Sequence, residues 1–285
     1  MKTKSLFALS LLATISLSGC KAIYYTYEDA DKYTKYTEPV EIVICDENLK
    51  TLDLDWVSGQ IYIQRGNEIK IEEENTRGNY LPLYYYLDGL KLNVKYCQSN
   101  IKALNYSHTS KKLELTIPND LELINIKTVS ADYHIDLNGV DNIKVKTTSG
   151  DGEVKVSTIG GFEADTTSGD IAIDANKMDN FTFTTTSGDV SLRTNTIKDI
   201  HFKSTSGNFY TVINSSLELN QISIKTTSGN TTLNLDGVRG YNLDFTSTSG
   251  DKDLEFRDGS DPSLSKFDIV FKSTSGDLKI NKISN

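Results

Sequence analysis

The sequence predicts an all-β, single-domain parallel β-solenoid (β-helix) of about 19 residues per rung, with degenerate capping rungs at its N-terminal end. A Ser-Gly-Asp or Ser-Gly-Asn motif preceded by Thr-Thr or Ser-Thr recurs at Ser149, Ser168, Ser187, Ser206, Ser228, Ser249 and Ser275. Counted from a diverged copy at Ser130, the spacings are 19, 19, 19, 19, 22, 21 and 26 residues. Apolar residues alternate with polar ones between the motifs, which is typical of strands. A unit this short must stack on its neighbours to bury an apolar face.

The chain divides into four segments. Residues 1–19 combine an early basic pair, Lys2 and Lys4, with an apolar run too short to span a bilayer, which predicts a lipoprotein signal peptide. Residues 20–38 are polar and rich in Tyr, and we interpret them as a lipidated Cys20 followed by a tether. Residues 39–122 are expected to form irregular N-terminal β rungs that cap the stack, and residues 123–285 the regular solenoid repeats.

The end of the signal segment predicts the cellular location. Leu17-Ser18-Gly19-Cys20 resembles the lipobox of bacterial lipoproteins, in which cleavage leaves the Cys as a lipid-modified N-terminus. An ordinary cleavage site beside a chance Cys is the alternative. With the lipid, the chain is a membrane-anchored lipoprotein of the bacterial cell envelope, either periplasmic or surface-exposed.

Two further cysteines, Cys45 and Cys97, remain in an exported chain, which invites pairing. Both fall at outward positions of strand-like stretches, so a Cys45–Cys97 disulfide is one expectation and two free thiols the other.

The charge disfavours a nucleic-acid partner. The formal net charge is −9, and loss of Lys2 and Lys4 with the signal lowers it to −11. The acidic residues are dispersed along the repeats, which indicates a solvated surface. Because no second long apolar run follows, the lipid would be the only membrane attachment.

Alignment on the repeat Ser predicts which residues face the core. Inward positions lie two, four and six residues before the Ser, as in Thr185, Phe183 and Phe181, and three, five and seven residues after it. Lys252 and the stretch 209–211 depart from this alternation. No cap is evident at the C-terminus, where Lys279 and Lys282 are expected to blunt the open edge.

Three columns of recurring residues follow the corners of the eight repeat units, with Ala131 in place of Gly in the first unit. The first is a Thr or Ser hydroxyl two residues before the repeat Ser, expected to hydrogen-bond at the edge of the core. The second is a Gly, for which we expect a positive φ. The third is an acid or amide that we expect to cap turn amides: Asp132, Asp151, Asp170, Asp189, Asn208, Asn230, Asp251 and Asp277.

Calcium binding by this acidic column is the competing interpretation. Asn208 and Asn230 favour capping, since Asn caps as well as Asp does, and neighbouring carboxylates repel by only about 1 kcal/mol in water. We therefore expect no cofactor and no metal site.

The sequence contains no evident catalytic constellation. His108, His134 and His201 are scattered without metal-ligand spacing, and acids such as Glu153 and Asp174 are too numerous to single out a pair. The chain is therefore expected not to be an enzyme.

The lipobox, the stretch Leu113-Glu114-Leu115-Thr116-Ile117-Pro118 and the Thr-Ser-Gly-Asp repeats resemble a bacterial family of β-strand-repeat envelope lipoproteins labelled adhesins. The resemblance covers about residues 40–283 and implies a β-solenoid on the cell envelope. It carries no family-wide catalytic residues.

The leading hypothesis is thus a non-enzymatic envelope lipoprotein whose solenoid surface serves adhesion, by binding an envelope protein or a glycan. A carbohydrate-active β-helix enzyme, lyase or hydrolase, and an envelope-stress sensor are the alternatives. A functional site is expected where the repeat lapses: before Ser130, around Asn214, or from Asp258 to Lys266.

Overall fold

The computed structural model describes residues 24–36, 40–42, 49–75, 81–102, 110–118 and 120–283. The predicted signal peptide, Cys20, Cys45 and His108 lie outside these ranges. The described residues form strands and a single 3₁₀ turn, Ala30–Lys32, so the all-β prediction is confirmed. Nowhere in these ranges does a helix combine the length and apolar character needed to cross a membrane.

The strands of the N-terminal part are β1 (Tyr24–Tyr25), β2 (Thr34–Lys35), β3 (Val40–Ile42), β4 (Thr51–Asp55), β5 (Ser58–Arg65), β6 (Ile69–Asn75), β7 (Tyr84–Asp88), β8 (Lys91–Lys95), β9 (Ile101–Lys102), β10 (Lys111–Ile117) and β11 (Leu121–Lys127). The strands of the repeats are β12 (Ser130–Lys146), β13 (Gly152–Thr166), β14 (Ile171–Thr185), β15 (Val190–Thr196), β16 (Asp199–Lys203), β17 (Phe209–Ser215), β18 (Gln221–Lys225), β19 (Thr231–Leu235), β20 (Tyr241–Thr246), β21 (Lys252–Leu254), β22 (Phe267–Lys272) and β23 (Leu278–Lys282).

Most strands belong to one open sheet with two faces. The first face has the strand order β7-β8-β4-β11-β12-β13-β14-β16-β18-β22-β20, and its strands in the regular repeats precede a Ser-Gly-Asp or Ser-Gly-Asn corner. The second face has the strand order β6-β10-β5-β12-β13-β14-β15-β17-β19-β23-β21, and its strands in the regular repeats follow such a corner. The long strands β12, β13 and β14 contribute to both faces.

The repeats pair in parallel and in constant register. Tyr133 lies opposite Gly152, and Gly152 lies opposite Ile171, each 19 residues further along the chain. Equivalent side chains therefore stack in columns, one set pointing into the core and the other pointing outward from each face. The inward columns form one apolar core, in which the rings of Phe181, Phe183, Phe202 and Phe209 stack at centroid distances of 5.0–6.3 Å.

Antiparallel strands close the N-terminal end of the stack. On the second face β6 pairs with β10 and β3 with β6, and on the first face β7 pairs with β8 and β2 with β7, all antiparallel. A reversed strand offers a different hydrogen-bond pattern from a parallel rung and ends the repeat.

Part of the predicted tether is packed against this cap. The Tyr25 hydroxyl donates to the Asp55 carbonyl at 3.0 Å, β1 pairs with β9, and Tyr36 is buried. Tyr25 and Tyr36, two of the Tyr residues of the predicted tether, therefore pack on the cap. Residues 24–36 are not a free linker.

The C-terminal end differs from expectation because the last two rungs are out of sequence order. β22 and β23 pair with β18 and β19, while β20 and β21, which come earlier in the chain, lie outside them. Lys279 and Lys282 therefore do not lie on the edge.

The outermost rung explains the anomaly at Lys252. Lys252 lies opposite buried Leu278 and so occupies a core-facing column, with its Nζ 5.1 Å from the centroid of the Phe245 ring. An inward-facing charge at the last rung disfavours the addition of another strand and protects the edge.

Candidate functional site

The hydroxyl column at the corners is built into the turn. The Gly188 N–H donates to Thr185 Oγ1 at 2.8 Å, and the same contact recurs three residues apart in six other corners, at 2.6–2.9 Å. Ser204 is the exception, since its hydroxyl donates to the Gly207 carbonyl at 2.9 Å. What the corner needs at this position is an oxygen, which is why Ser and Thr both occur there.

The Asp and Asn column connects rungs. The Asp170 N–H donates to Asp151 Oδ1 at 2.8 Å, and the Asp189 N–H donates to Asp170 Oδ1 at 2.7 Å. The series continues through Asn208 and Asn230 with N–H to Oδ1 distances of 2.7 and 2.9 Å. Each side chain thus accepts a turn amide, and that amide belongs to the next corner of the stack.

The repeat glycines are required for a different reason from the one expected. The positive-φ glycines among the described residues are Gly59, Gly89 and Gly237, none of which belongs to a Ser-Gly-Asp corner. A Cβ on Gly188 would instead overlap the carbonyl oxygen of Gly169 in the preceding corner. The corners stack backbone against backbone, so the prediction of positive φ was wrong and close approach is the cause.

Cys97 differs from its predicted outward orientation. Its side chain is 1 % exposed, and its Sγ donates to the Gln98 carbonyl oxygen at 3.6 Å. Burial raises the pKa of this thiol to about 12, which suppresses thiolate chemistry. Because Cys45 lies outside the described residues, a Cys45–Cys97 disulfide stays a prediction.

A buried ion pair lies close to Cys97 where the N-terminal rungs become irregular. Lys111 and Glu73 pair at 2.5 Å with almost no exposure, and the Lys111 Nζ lies 4.8 and 4.0 Å from the ring centroids of Trp56 and Tyr96. Burial lowers the pKa of Lys111. Since the pair ties β6 to β10 and is closed to solvent, we assign it to the cap.

Arg239 connects the two other segments in which the repeat is interrupted, the residues near Asn214 and the loop from Asp258 to Lys266. Its guanidinium donates to the carbonyls of Ser216, Leu219 and Ser265 at 2.8–2.9 Å. The extra residues near Asn214 and the loop from Asp258 to Lys266 are thereby held together. This contact satisfies a mostly buried cation with carbonyl oxygens and has a structural role.

The outer surface of the second face carries the best candidate site, centred on β17. Phe209, Thr211 and Ile213 face the core, so the alternation holds through this strand, and Tyr210 projects outward with 41 % exposure. It borders a shallow depression of about 760 Å³, the Tyr210 groove, whose polar lining includes Asp170, Asp189, Ser191, Asn208 and Asn230.

A second depression of about 500 Å³ lies further along the same strands. We call it the Arg193 depression; it is lined by Asp174, Asn176, Arg193, Asn195, Val212 and Asn214 among others. Asn214 Nδ2 donates to Asn195 Oδ1 at 2.7 Å, and Asn195 Nδ2 donates to Asn176 Oδ1. Tyr210 and Val212 thus give one rung an apolar exterior between two sets of polar side chains.

The remaining predicted residues do not gather into a reactive centre. His134 pairs with Glu153 at 3.0 Å on the outer surface of the second face, and His201 is exposed on the first face. Within the described ranges, no group of three His, Cys, Asp or Glu side chains could hold a metal ion.

Sequence reasoning placed a site near Asn214 but missed Tyr210 and Arg193. An aromatic residue at an outward position, where other rungs have Ala172, Ser191 or Thr232, was the available signal. It was obscured because the stretch 209–211 was interpreted as a loss of alternation.

Comparison with one solved structure, the first of the two described next, supports the fold. A "putative adhesin" from Bacteroides fragilis NCTC 9343 is similar to this chain with a TM-score of 0.52 and 13% identity, covering 87% of this chain and 97% of its own. A "putative lipid binding protein" from Parabacteroides distasonis ATCC 8503 has a TM-score of 0.47 at 15% identity, covering 85% of this chain and 96% of its own. At these identities the likeness concerns the fold alone. No curated protein matches the chain.

The family model described as Toastrack DUF4097 matches residues 49–284, from the rung at β4 to the last rung. This match spans most of the chain and includes both faces and the outer surface around β17. The chain therefore belongs to the Toastrack DUF4097 family.

Proposed function

We propose that this protein is a non-enzymatic adhesin of the bacterial cell envelope, anchored through a lipid on Cys20, that binds glycans on the second face of a parallel β-solenoid. The rung length of about 19 residues is supported by the register of β12, β13 and β14. The observation that carries the proposal is the exposed ring of Tyr210 beside the polar wall of the Tyr210 groove.

The chemistry of this groove suits a sugar ring. An exposed aromatic face contacts the C–H bonds of a pyranose, while carboxylate and amide groups exchange hydrogen bonds with its hydroxyls. Asn208 and Asp189 lie in the wall of the groove, where Asn208 Nδ2 donates to Asp189 Oδ1 at 3.1 Å. Each retains further acceptor or donor capacity for a ligand hydroxyl.

The scaffold supports recognition rather than catalysis. The side chains of the corner column each accept a backbone amide of the next corner, so they are held as structural acceptors. Residues on stacked strands are fixed relative to one another by both neighbouring rungs, which provides a preorganised surface for a polymer.

Binding to a panel of polysaccharides tests the proposal. Tyr210→Ala should abolish saturable binding because the stacking surface is lost, whereas Tyr210→Phe should retain it. Tyr84→Ala, on β7 at the N-terminal end of the stack and away from the Tyr210 groove, is the control. Absence of binding to every polymer, or equal binding by Tyr210→Ala, contradicts glycan recognition, and release of products from any polymer contradicts the non-enzymatic assignment.

The anchor has its own test. Cys20→Ala should move the protein from the membrane fraction to the soluble fraction, because a lipid on Cys20 is the proposed attachment. If the variant still sediments with membranes, the lipid anchor is not the attachment.

A further inference from the structure

Arg193 is an uncommitted cation on the proposed binding surface. It is exposed on β15, and within the described residues its guanidinium forms no hydrogen bond or ion pair. Two other arginines are engaged: Arg65 pairs with Asp120 at 3.3 Å, and Arg239 donates to several carbonyls. The planar fork of Arg193 is therefore available to a ligand.

The strand register places Arg193 close to Tyr210. Ser191 lies opposite Tyr210, and Arg193 lies opposite Val212. Arg193 is thus two residues along the strand and one strand across from Tyr210, a Cα separation of about 8 Å from strand geometry. One pyranose ring with its substituents, or two linked rings, spans this distance.

The amide groups around Arg193 add donors. Asn195 and Asn214 each use one Nδ2–H in the ladder along the depression, and an amide carries two. Val212 is apolar and leaves the space beside the guanidinium open. A ligand group rich in acceptor oxygens fits this arrangement.

Asp174 is the one carboxylate in the lining of the Arg193 depression. It lies opposite Arg193 on the neighbouring strand β14, yet the two side chains do not form an ion pair. The acidic corner column lies on the other side of Tyr210, so the surface is polarised across the face. Donors and a cation lie on the Arg193 side, and acceptors lie on the Asp189 side.

We propose that the glycan bound on this face is anionic, with a carboxylate of a hexuronate unit held by Arg193 while the same or a linked ring stacks on Tyr210. This inference rests on the proposed glycan-binding function and names the substrate class for the same surface. Arg193 then selects acidic polymers, and Tyr210 binds the ring irrespective of its charge.

The test compares polygalacturonate with its carboxyl-reduced form, which keeps the same linkage but has a neutral primary alcohol in place of the carboxylate. Isothermal titration with the full chain should show binding to polygalacturonate that is about 10-fold tighter than to the reduced polymer, the effect of one charge-assisted pair. Arg193→Gln should remove that difference by weakening polygalacturonate binding alone. Arg193→Lys should recover part of it, since Lys keeps the charge without the fork.

Arg257→Gln is the matched control, because it makes the same charge change on an exposed residue near the last rung. If both polymers bind equally to the wild type, or if Arg193→Gln and Arg257→Gln have the same effect, the anionic assignment is overturned. That failure is distinct from failure of the proposed function. If only the anionic assignment fails, Tyr210→Ala still abolishes binding to whichever polysaccharides the wild type binds. If the proposed function fails, no polysaccharide of the panel binds. Binding to other polysaccharides but to neither of these two also overturns the anionic assignment.

Discussion

The same substitution at two buried threonines should change stability in opposite directions. Thr185 and Thr211 are both buried on inward columns, at 6 % and 0 % exposure. Thr185 Oγ1 accepts the buried Gly188 N–H at 2.8 Å, whereas Thr211 Oγ1 has no hydrogen-bond partner among the described residues. Val has nearly the same shape as Thr, so Thr→Val isolates the hydroxyl at each site.

The magnitudes follow from the state of each polar group. Thr185→Val leaves the Gly188 amide buried without an acceptor, which should lower the free energy of unfolding by about 1–3 kcal/mol. Thr211→Val removes a buried oxygen that lacks a partner, which should raise the free energy of unfolding by about 1 kcal/mol. For a domain of this size, 1 kcal/mol corresponds to about 2–4 °C in Tm.

Thermal and urea unfolding followed by circular dichroism measures both changes. Thr185→Ser is the control, since Ser keeps the oxygen and occurs naturally at this position in Ser204, Ser247 and Ser273. A shift of the same sign for both Val variants would refute the reasoning. Equal destabilisation by Thr185→Ser and Thr185→Val would show that the hydroxyl contributes no more to stability than the γ-methyl group does.

Three further predictions concern the corners, the edge and the thiol. Gly188→Ala should lower the free energy of unfolding by about 2–3 kcal/mol because its Cβ would overlap the Gly169 carbonyl oxygen. Gly89→Ala, where φ is 58° and no atom lies within 4 Å of the new Cβ, should lower it by about 1 kcal/mol. Equal losses for the two variants in urea unfolding would contradict close stacking of the corners. Lys252→Leu should produce concentration-dependent self-association in sedimentation velocity, since an apolar residue would complete the core-facing column at the open edge. An unchanged sedimentation coefficient would show that Lys252 does not protect this edge. With a pKa of about 12, the Cys97 thiol should stay protonated and resist iodoacetamide at pH 8 until urea is added. Rapid labelling of the native protein would argue against burial of the thiol. A requirement for reductant as well as urea would indicate the disulfide with Cys45.

The sequence predicted the repeat well because its signals are local. The alternation around Phe181 and Phe183 and the hydroxyl at Thr185 each follow from neighbours a few residues away, and the structure places all three inward. The function of the repeat glycines was misjudged because the close approach of Gly188 to Gly169 exists only between rungs. A glycine needed for φ and a glycine needed for space look identical in one sequence.

The ends and the site were less predictable for a related reason. Nothing local shows that β22 inserts between β18 and β20, since all three strands have the same pattern. Tyr210 and Arg193 lie on different strands, and their neighbourhood depends on register. Asn214 lines the Arg193 depression, so the predicted region includes part of the candidate surface, and a functional site there stays a prediction whose side chains the sequence could not name.

The inverted order of the last two rungs has a consequence for how the chain reaches its folded form. Because synthesis proceeds from the N-terminus, β20 and β21 are made before β22 and β23, the strands that separate them from β18 and β19. A strictly sequential addition of rungs would place β20 against β18, in contact with a partner it does not have in the native state. Completion of the native stack must wait for the final residues, Leu278–Lys282, or reverse an earlier pairing. The C-terminal strands therefore make long-range contacts that are slow to form, and their synthesis sets the earliest time at which the native strand order can be reached.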